Sequence, residues 1–255
     1  MEQQKSIALI KVRLMRMEEA AMATYCIGDI HGEYEKYLDM LDIIDFSDED
    51  TLFVIGDVID RGHGGISILK DMMMRPNVIP IIGNHEYMAV SCLKFLLEEV
   101  TDEGIDRLAT EIHAGLLEWI NVGGMPTMQA FRDLPADERL DIIDYLEEFE
   151  LFAEVSCGGN DYVLVHAGIS NFDPSYDMDE YDISELIFES PDYDEVYFPD
   201  KYLVTGHLPT FAVGGDEYNG KIYRMNNHIA IDCGCSIGGR LGAICLDSGE
   251  EFYVE

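Results

Sequence analysis

The feature that most limits what this chain can fold into is a rhythm of short apolar, β-branched runs, each stopped by a turn signal. Residues 24–27, 51–55, 78–82, 162–165 and 202–205 all read this way, and each predicts a buried strand. Between the first three lie amphipathic stretches at 33–44 and 65–74, long enough for a crossover helix. That is a βαβαβ unit repeating at about 27 residues. The stretch 87–152 predicts a helical cover on the sheet, interrupted at Gly123-Gly124, Pro126 and Pro135. Residues 171–200 are acidic and tyrosine-rich and predict a surface loop with one short helix near 183–188. The tail, 221–254, alternates apolar runs with glycine turns and predicts an antiparallel strand series.

A chain of 255 residues with 47% hydrophobic content can bury one large core. One domain is therefore expected over 24–255, with an insertion at about 87–152 and a dispensable extension over 1–23. No apolar stretch approaches the roughly 20 residues that span a bilayer, and no secretory leader is read at the start, so a cytoplasmic protein without a membrane partner is expected. The six cysteines contain no CxxC pair, which argues against a disulfide framework or a zinc ribbon; Cys233 and Cys235 are read as packing thiols on one strand face. With 51 acidic residues against 16 basic ones, the net charge of −35 repels a nucleic acid backbone. It also opposes a phosphorylated ligand, so a phosphate-handling site here would need local positive charge.

Each of the five runs ends in side chains that can ligate metal. The strings are Gly28-Asp29-Ile30-His31-Gly32, Gly56-Asp57-Val58-Ile59-Asp60-Arg61-Gly62, Gly83-Asn84-His85-Glu86, His166-Ala167-Gly168 and Gly206-His207. In an open α/β sheet the loops at the carboxyl ends of the strands converge on one crevice, so all five are expected to face one pocket. Taken singly, an Asp after Gly is a turn residue and a lone His is a core histidine; five such loops at equivalent positions are a ligand set. Carboxylate and imidazole donors without thiolate suit divalent first-row ions. Two ions about 3.5 to 4 Å apart need a bridging ligand, and Asp57, on the central loop of the first three, is the natural choice.

These strings closely resemble the phosphoprotein phosphatase family of the metallophosphoesterase superfamily. GDIHG, GDVIDRG and GNHE stand intact in order, followed by HAG and GH, and Pro209 stands where other branches carry a second histidine. The resemblance covers about residues 24–246. It implies an α/β fold in which a β-sandwich is flanked by helices, with the metal site at the carboxyl ends of the central strands. It further implies that Asp29, His31 and Asp57 hold one metal and that Asp57, Asn84, His166 and His207 hold the other. Manganese is the expected ion, with iron or zinc as alternatives, and a metal-bridging hydroxide would attack phosphorus directly. His85 would protonate the leaving oxygen, Asp60 would orient the His85 ring, and Arg61 would present its planar fork to phosphate. The family's second clamp arginine is missing: no arginine lies between Arg139 and Arg224, and residues 186–191 occupy its expected place. Lys201 and Arg240 are the cations that could substitute.

The leading expectation is a hydrolase of phosphomonoesters, acting on phosphoserine or phosphothreonine in proteins or on a small phosphoester. The first alternative keeps the metals and changes the substrate to a dinucleoside tetraphosphate, which the net acidity and missing arginine weigh against. The second is a non-catalytic binding module that keeps its metals, which the joint presence of His85, Asp60 and Arg61 weighs against.

Overall fold

The first three runs form β1 (Thr24–Ile27), β2 (Thr51–Ile55) and β3 (Val78–Ile81), parallel and adjacent, as a βαβαβ unit requires. Their crossovers are α1 (Tyr34–Ile43) and α2 (Gly65–Met73). On α1 the buried side chains are Tyr37, Met40 and Leu41, and on α2 they include Ile68, Leu69 and Met72, the i, i+3, i+4 stripe that a helix lays on a sheet. The computed structural model describes residues 22–97 and 113–255. The expected extension, except residues 22 and 23, lies outside them, as does part of the expected helical insertion.

The strands do not share one sheet. One five-stranded sheet has the order β10-β9-β1-β2-β3, with β9 (Leu241–Cys245) antiparallel to β1 and β10 (Glu251–Val254) on its edge. The other has the order β4-β5-β6-β8-β7, where β4 (Phe152–Cys157), β5 (Asn160–Val165), β6 (Tyr202–Thr205), β7 (Tyr223–Met225) and β8 (His228–Ala230) include a parallel trio β5, β6 and β8. The tail expected as one antiparallel series is therefore split between two sheets. Its hairpins are local, but their partners β6 and β1 are remote in sequence, and only packing selects them.

The two sheets face each other across a core in which Cys26, Phe53 and Ile55 meet Leu164, Val204 and Ile229. The outer face of the first sheet is covered by α1, α2, α3 (Asn84–Leu97), α4 (His113–Val122), α5 (Met125–Arg132) and α6 (Ala136–Glu147), with Trp119 and Phe131 fully buried in that layer. Residues 169–198, with the short α7 (Ile183–Ile187), cover the second sheet through Ile169, Met178, Leu186 and Ile187. This is the α/β sandwich with flanking helices that the resemblance implies. Cys233 and Cys235 pack as expected, but into different layers, because a 3-10 turn at Cys235–Ile237 replaces a continuous strand there. Among the described residues, no helix is long and apolar enough to cross a membrane.

Candidate metal centre

All five loops leave the carboxyl ends of parallel strands, three from one sheet and two from the other, and they meet at one rim of the sandwich. The first two loops are zipped by backbone bonds, His31 N–H to Asp57 O at 2.8 Å and Gly32 N–H to Val58 O at 2.8 Å, and Gly206 N–H donates to His166 O at 2.8 Å. Among the described non-glycine residues with positive φ are Asp29, His31, Asp57, Asp60, Arg61 and His207. Asp tolerates the left-handed region; His and Arg rarely enter it, and such conformations persist only where surrounding structure over-determines them.

Asp57 sits at the centre. Its Oδ2 lies 3.4 Å from His31 Nε2, and its Oδ1 lies 3.4 Å from His166 Nε2. Asn84, at the start of α3, points Oδ1 to within 3.0 Å of His166 Nε2 and 3.2 Å of His207 Nδ1. Asp29 accepts the His207 N–H on Oδ1 at 2.9 Å, while its buried Oδ2 has no hydrogen-bond partner. A Cβ on Gly206 would stand 2.1 Å from that oxygen, so only glycine lets the fifth loop pass so close. The structure thus brings the six expected ligands, Asp29, His31, Asp57, Asn84, His166 and His207, to one place.

The other ring nitrogens are anchored. His31 Nδ1 faces Ile59 O at 3.0 Å and His166 Nδ1 faces Ile55 O at 2.8 Å, while His207 bonds to the Phe188 backbone. Such outer hydrogen bonds fix the tautomer that leaves the inner nitrogen free to ligate. Burial pushes His31 down to about 3 against the attraction of Asp57, and burial together with His166 pushes His207 down to about 4, so both are neutral donors near pH 7. Asp29 is pushed well up by burial and by the nearby Asp232 and Asp57. Asp57 is the opposite case: burial raises it, but His166, His85, His31 and His207 outweigh burial and keep it ionised. Neutral imidazoles, clustered carboxyls and an orphaned carboxylate oxygen fit two divalent cations.

His85 differs from these histidines. Its Nδ1–H donates to Asp60 Oδ2 at 2.7 Å, and its Nε2 lies 3.8 Å from Asp57 Oδ2 and 3.5 Å from Arg61 Nη2. Burial acts to lower it, but Asp57 and the Asp60 hydrogen bond prevail and hold it above the ordinary histidine value. By distance alone His31, Asp57 and His85 also form a possible ligand group. Arg61 is exposed, and its Nη1 reaches Ser236 Oγ at 3.3 Å; among the described residues no carboxylate lies within ion-pair distance of it. The cations considered as substitute clamps are engaged elsewhere, Lys201 with Glu154 at 2.6 Å and Arg240 with Glu255 at 2.9 Å.

Several supporting residues escaped the sequence reading. Glu86 is fully buried and accepts four backbone N–H bonds, from Asp57 at 2.8 Å, Val58 at 2.9 Å, Ile59 at 3.2 Å and Gly83 at 3.0 Å, clamping the second loop to the third. Its place inside GNHE was visible; its target was not. Trp119 Nε1–H donates to Asp60 Oδ2 at 2.7 Å, Thr127 Oγ1 accepts the Asp60 N–H at 2.9 Å, and Gly123 O accepts the Arg61 N–H at 2.9 Å. The helical cover therefore holds the second loop, a role with no local signal. Asp232, raised to about 7 chiefly by burial, follows β8 by two residues and shares the strand-then-acid pattern of the other loops. That pattern could have found it.

The calcineurin-like phosphoesterase family pattern matches residues 22–234, most of the chain. The chain belongs to the calcineurin-like phosphoesterases. The members of this family that it resembles in sequence include the symmetrical bis(5'-nucleosyl)-tetraphosphatase of Nitrosospira multiformis, 28% identical over 66% of this chain and 50% of that protein. Its counterpart in Methylobacillus flagellatus is 24% identical over 91% of this chain and 95% of that protein. The chain thus spans half the length of the first relative and nearly all of the second. Among solved structures, a proposed diadenosine tetraphosphatase superposes with a TM-score of 0.62 at 17% identity, covering 92% of this chain and 94% of that one. A protein serine/threonine phosphatase from Saccharomyces cerevisiae reaches 0.59 at 14% identity, covering 94% and 82%, which shows a shared fold alone. The superfamily resemblance holds, and the two sequence relatives named here are both tetraphosphatases.

Proposed function

We propose that this phosphoesterase hydrolyses a dinucleoside tetraphosphate symmetrically, the reading first weighed as an alternative to phosphoprotein hydrolysis. The observation that carries the two-metal part is the single Asp57 carboxylate turning one oxygen to His31 and the other to His166. In this reading Asp29, His31 and Asp57 hold one divalent ion, and Asp57, Asn84, His166 and His207 hold the second. Bound ions would supply Lewis acidity to the phosphoryl oxygens and an acidified water as nucleophile. The substrate part is supported by the names of the relatives.

The chain's own groups do the rest. Arg61, which no carboxylate pairs among the described residues, would give its fork to phosphate oxygens. His85, held above the ordinary histidine value by Asp57 and Asp60 and locked through Nδ1 by Asp60, presents Nε2 to the leaving oxygen as its proton donor. Water oxygen joins one inner phosphorus, the bond from that phosphorus to the central oxygen between the two inner phosphorus atoms breaks, that oxygen takes the His85 proton while a water proton is released, and two nucleoside diphosphates leave. Manganese is the first ion to test, with iron and zinc beside it. Side-by-side assays on diadenosine tetraphosphate, a phosphoserine peptide and p-nitrophenyl phosphate decide the substrate. The expected result is the highest kcat/KM on the dinucleotide with nucleoside diphosphate as the sole product. A higher value on the phosphopeptide would overturn this reading in favour of a protein phosphatase.

A further inference from the structure

Beside the metal centre lies a groove of about 430 Å3 whose walls are Tyr87, on α3, and Phe188, just past α7. The two rings meet edge to face at 6.0 Å, yet they are 43% and 40% exposed, so neither is spent on the core. Met88 and the buried Cys92 also line it, and Ser91 and Glu118 add its polar groups.

Two connections tie this groove to the centre. Tyr87 lies three residues past Asn84 on the same helix, a rise of about 4.5 Å. Phe188 bonds through its backbone to His207. Either wall is therefore one step from a candidate ligand.

Resting on the proposed dinucleotide reading, we infer that the Tyr87–Phe188 groove is the subsite for a purine base of the substrate. Among the described residues no lysine or arginine lines it, so these residues build no second phosphate cradle. A neutral base is the one part of a dinucleoside polyphosphate that needs no cation. Aromatic faces take a base by stacking, and the Glu118 carboxylate can accept from an exocyclic amine. The phosphates then fall to Arg61 and the metals, with the ribose bridging the turn between Asn84 and Tyr87.

The test is a fluorescence titration with 2-aminopurine riboside 5'-monophosphate, whose emission is quenched on stacking, on the wild type and on Tyr87→Ala, Phe188→Ala and Tyr87→Phe, each loaded with manganese. Quenching is expected in the wild type and in Tyr87→Phe, with affinity about ten- to a hundred-fold weaker in both alanine variants. Absence of quenching in the wild type, or unchanged affinity in the alanine variants, overturns the subsite. Hydrolysis of diadenosine tetraphosphate by the wild type is read separately. If it fails while quenching follows the expected pattern, the base site stands and the tetraphosphate reading falls.

Discussion

At the scale of single residues, the proposed division of labour turns on two neighbouring groups. Asp57 is shared by both imidazole clusters, so Asp57→Asn replaces the one carboxylate that both cations would use and should strip most of the metal. His85→Ala removes the group held by Asp60 and should leave metal content intact while slowing turnover by roughly 10² to 10⁴. Elemental analysis beside kcat separates the two, and equal metal loss in both variants would refute the assignment of His85 as acid. Ser190 offers a gain-of-function counterpart. It lies between Phe188, bonded to His207, and Pro191, packed on Gly168, so a side chain there starts beside the centre. Glu189 is already engaged by Ser170 at 2.8 Å, which lessens its capture of a new guanidinium. Ser190→Arg should therefore raise kcat/KM on small phosphomonoesters about ten-fold, the low end of a charge-assisted contact. No gain in Ser190→Arg together with loss in Arg61→Ala would show that the clamp does not belong on this loop.

At the scale of elements, the site is a set of loops stitched to one another. Glu86, in the first turn of α3, carries that stitching by accepting N–H groups from two loops at once. Glu86→Gln keeps the shape but turns an amide NH2 toward backbone donors. Each orphaned N–H should cost roughly 1 to 3 kcal/mol, lowering the urea midpoint. Outer-shell losses of this kind weaken metal affinity by about 10- to 100-fold. A variant that melts and binds manganese like the wild type would remove Glu86 from the scaffold. The helical cover acts likewise, since Trp119 from α4 and Thr127 from α5 both hold Asp60.

At the scale of the whole molecule, the second sheet buries a histidine that gives the fold an acid limit. His228 is 1% exposed, stacks on Tyr193 at 4.5 Å and faces Thr205 Oγ1 at 2.8 Å, and burial pushes it down to about 4. The unfolded chain takes up this proton as pH falls through its ordinary value near 6.5, whereas the folded chain resists until about 4. Stability from this group is therefore full above pH 6.5 and declines between there and 4, by at most about 3 kcal/mol. Asp232 and Glu86, both raised to about 7, shift the balance in the opposite direction, so the His228 part is read as a difference. Urea unfolding of wild type and His228→Gln at pH 7 and pH 5 should show the larger loss in the wild type; equal losses would remove His228 from the acid response. The N-terminal segment belongs to this scale too: a chain starting at Met22, where the family match begins, should retain its metal content and its activity. Insoluble protein from that chain would show that the segment packs on the domain.

Strand and helix periodicity is local, and the sequence alone determined β1 to β3, their crossover helices and the five loop motifs, because alternation, β-branching and a glycine stop are properties of neighbours. The proposed ligand set could be read for the same reason: Asp29, His31, Asp57, Asn84, His166 and His207 each follow a strand end. The tertiary structure alone decided that these loops come from two sheets, that the tail divides between them, and that Glu86, Trp119 and Thr127 hold the loops in place. It alone set the groove between Tyr87 and Phe188 beside the centre. Those features join residues far apart in the chain, and no local pattern encodes which distant surfaces pack together; the burial of two sheets against each other does.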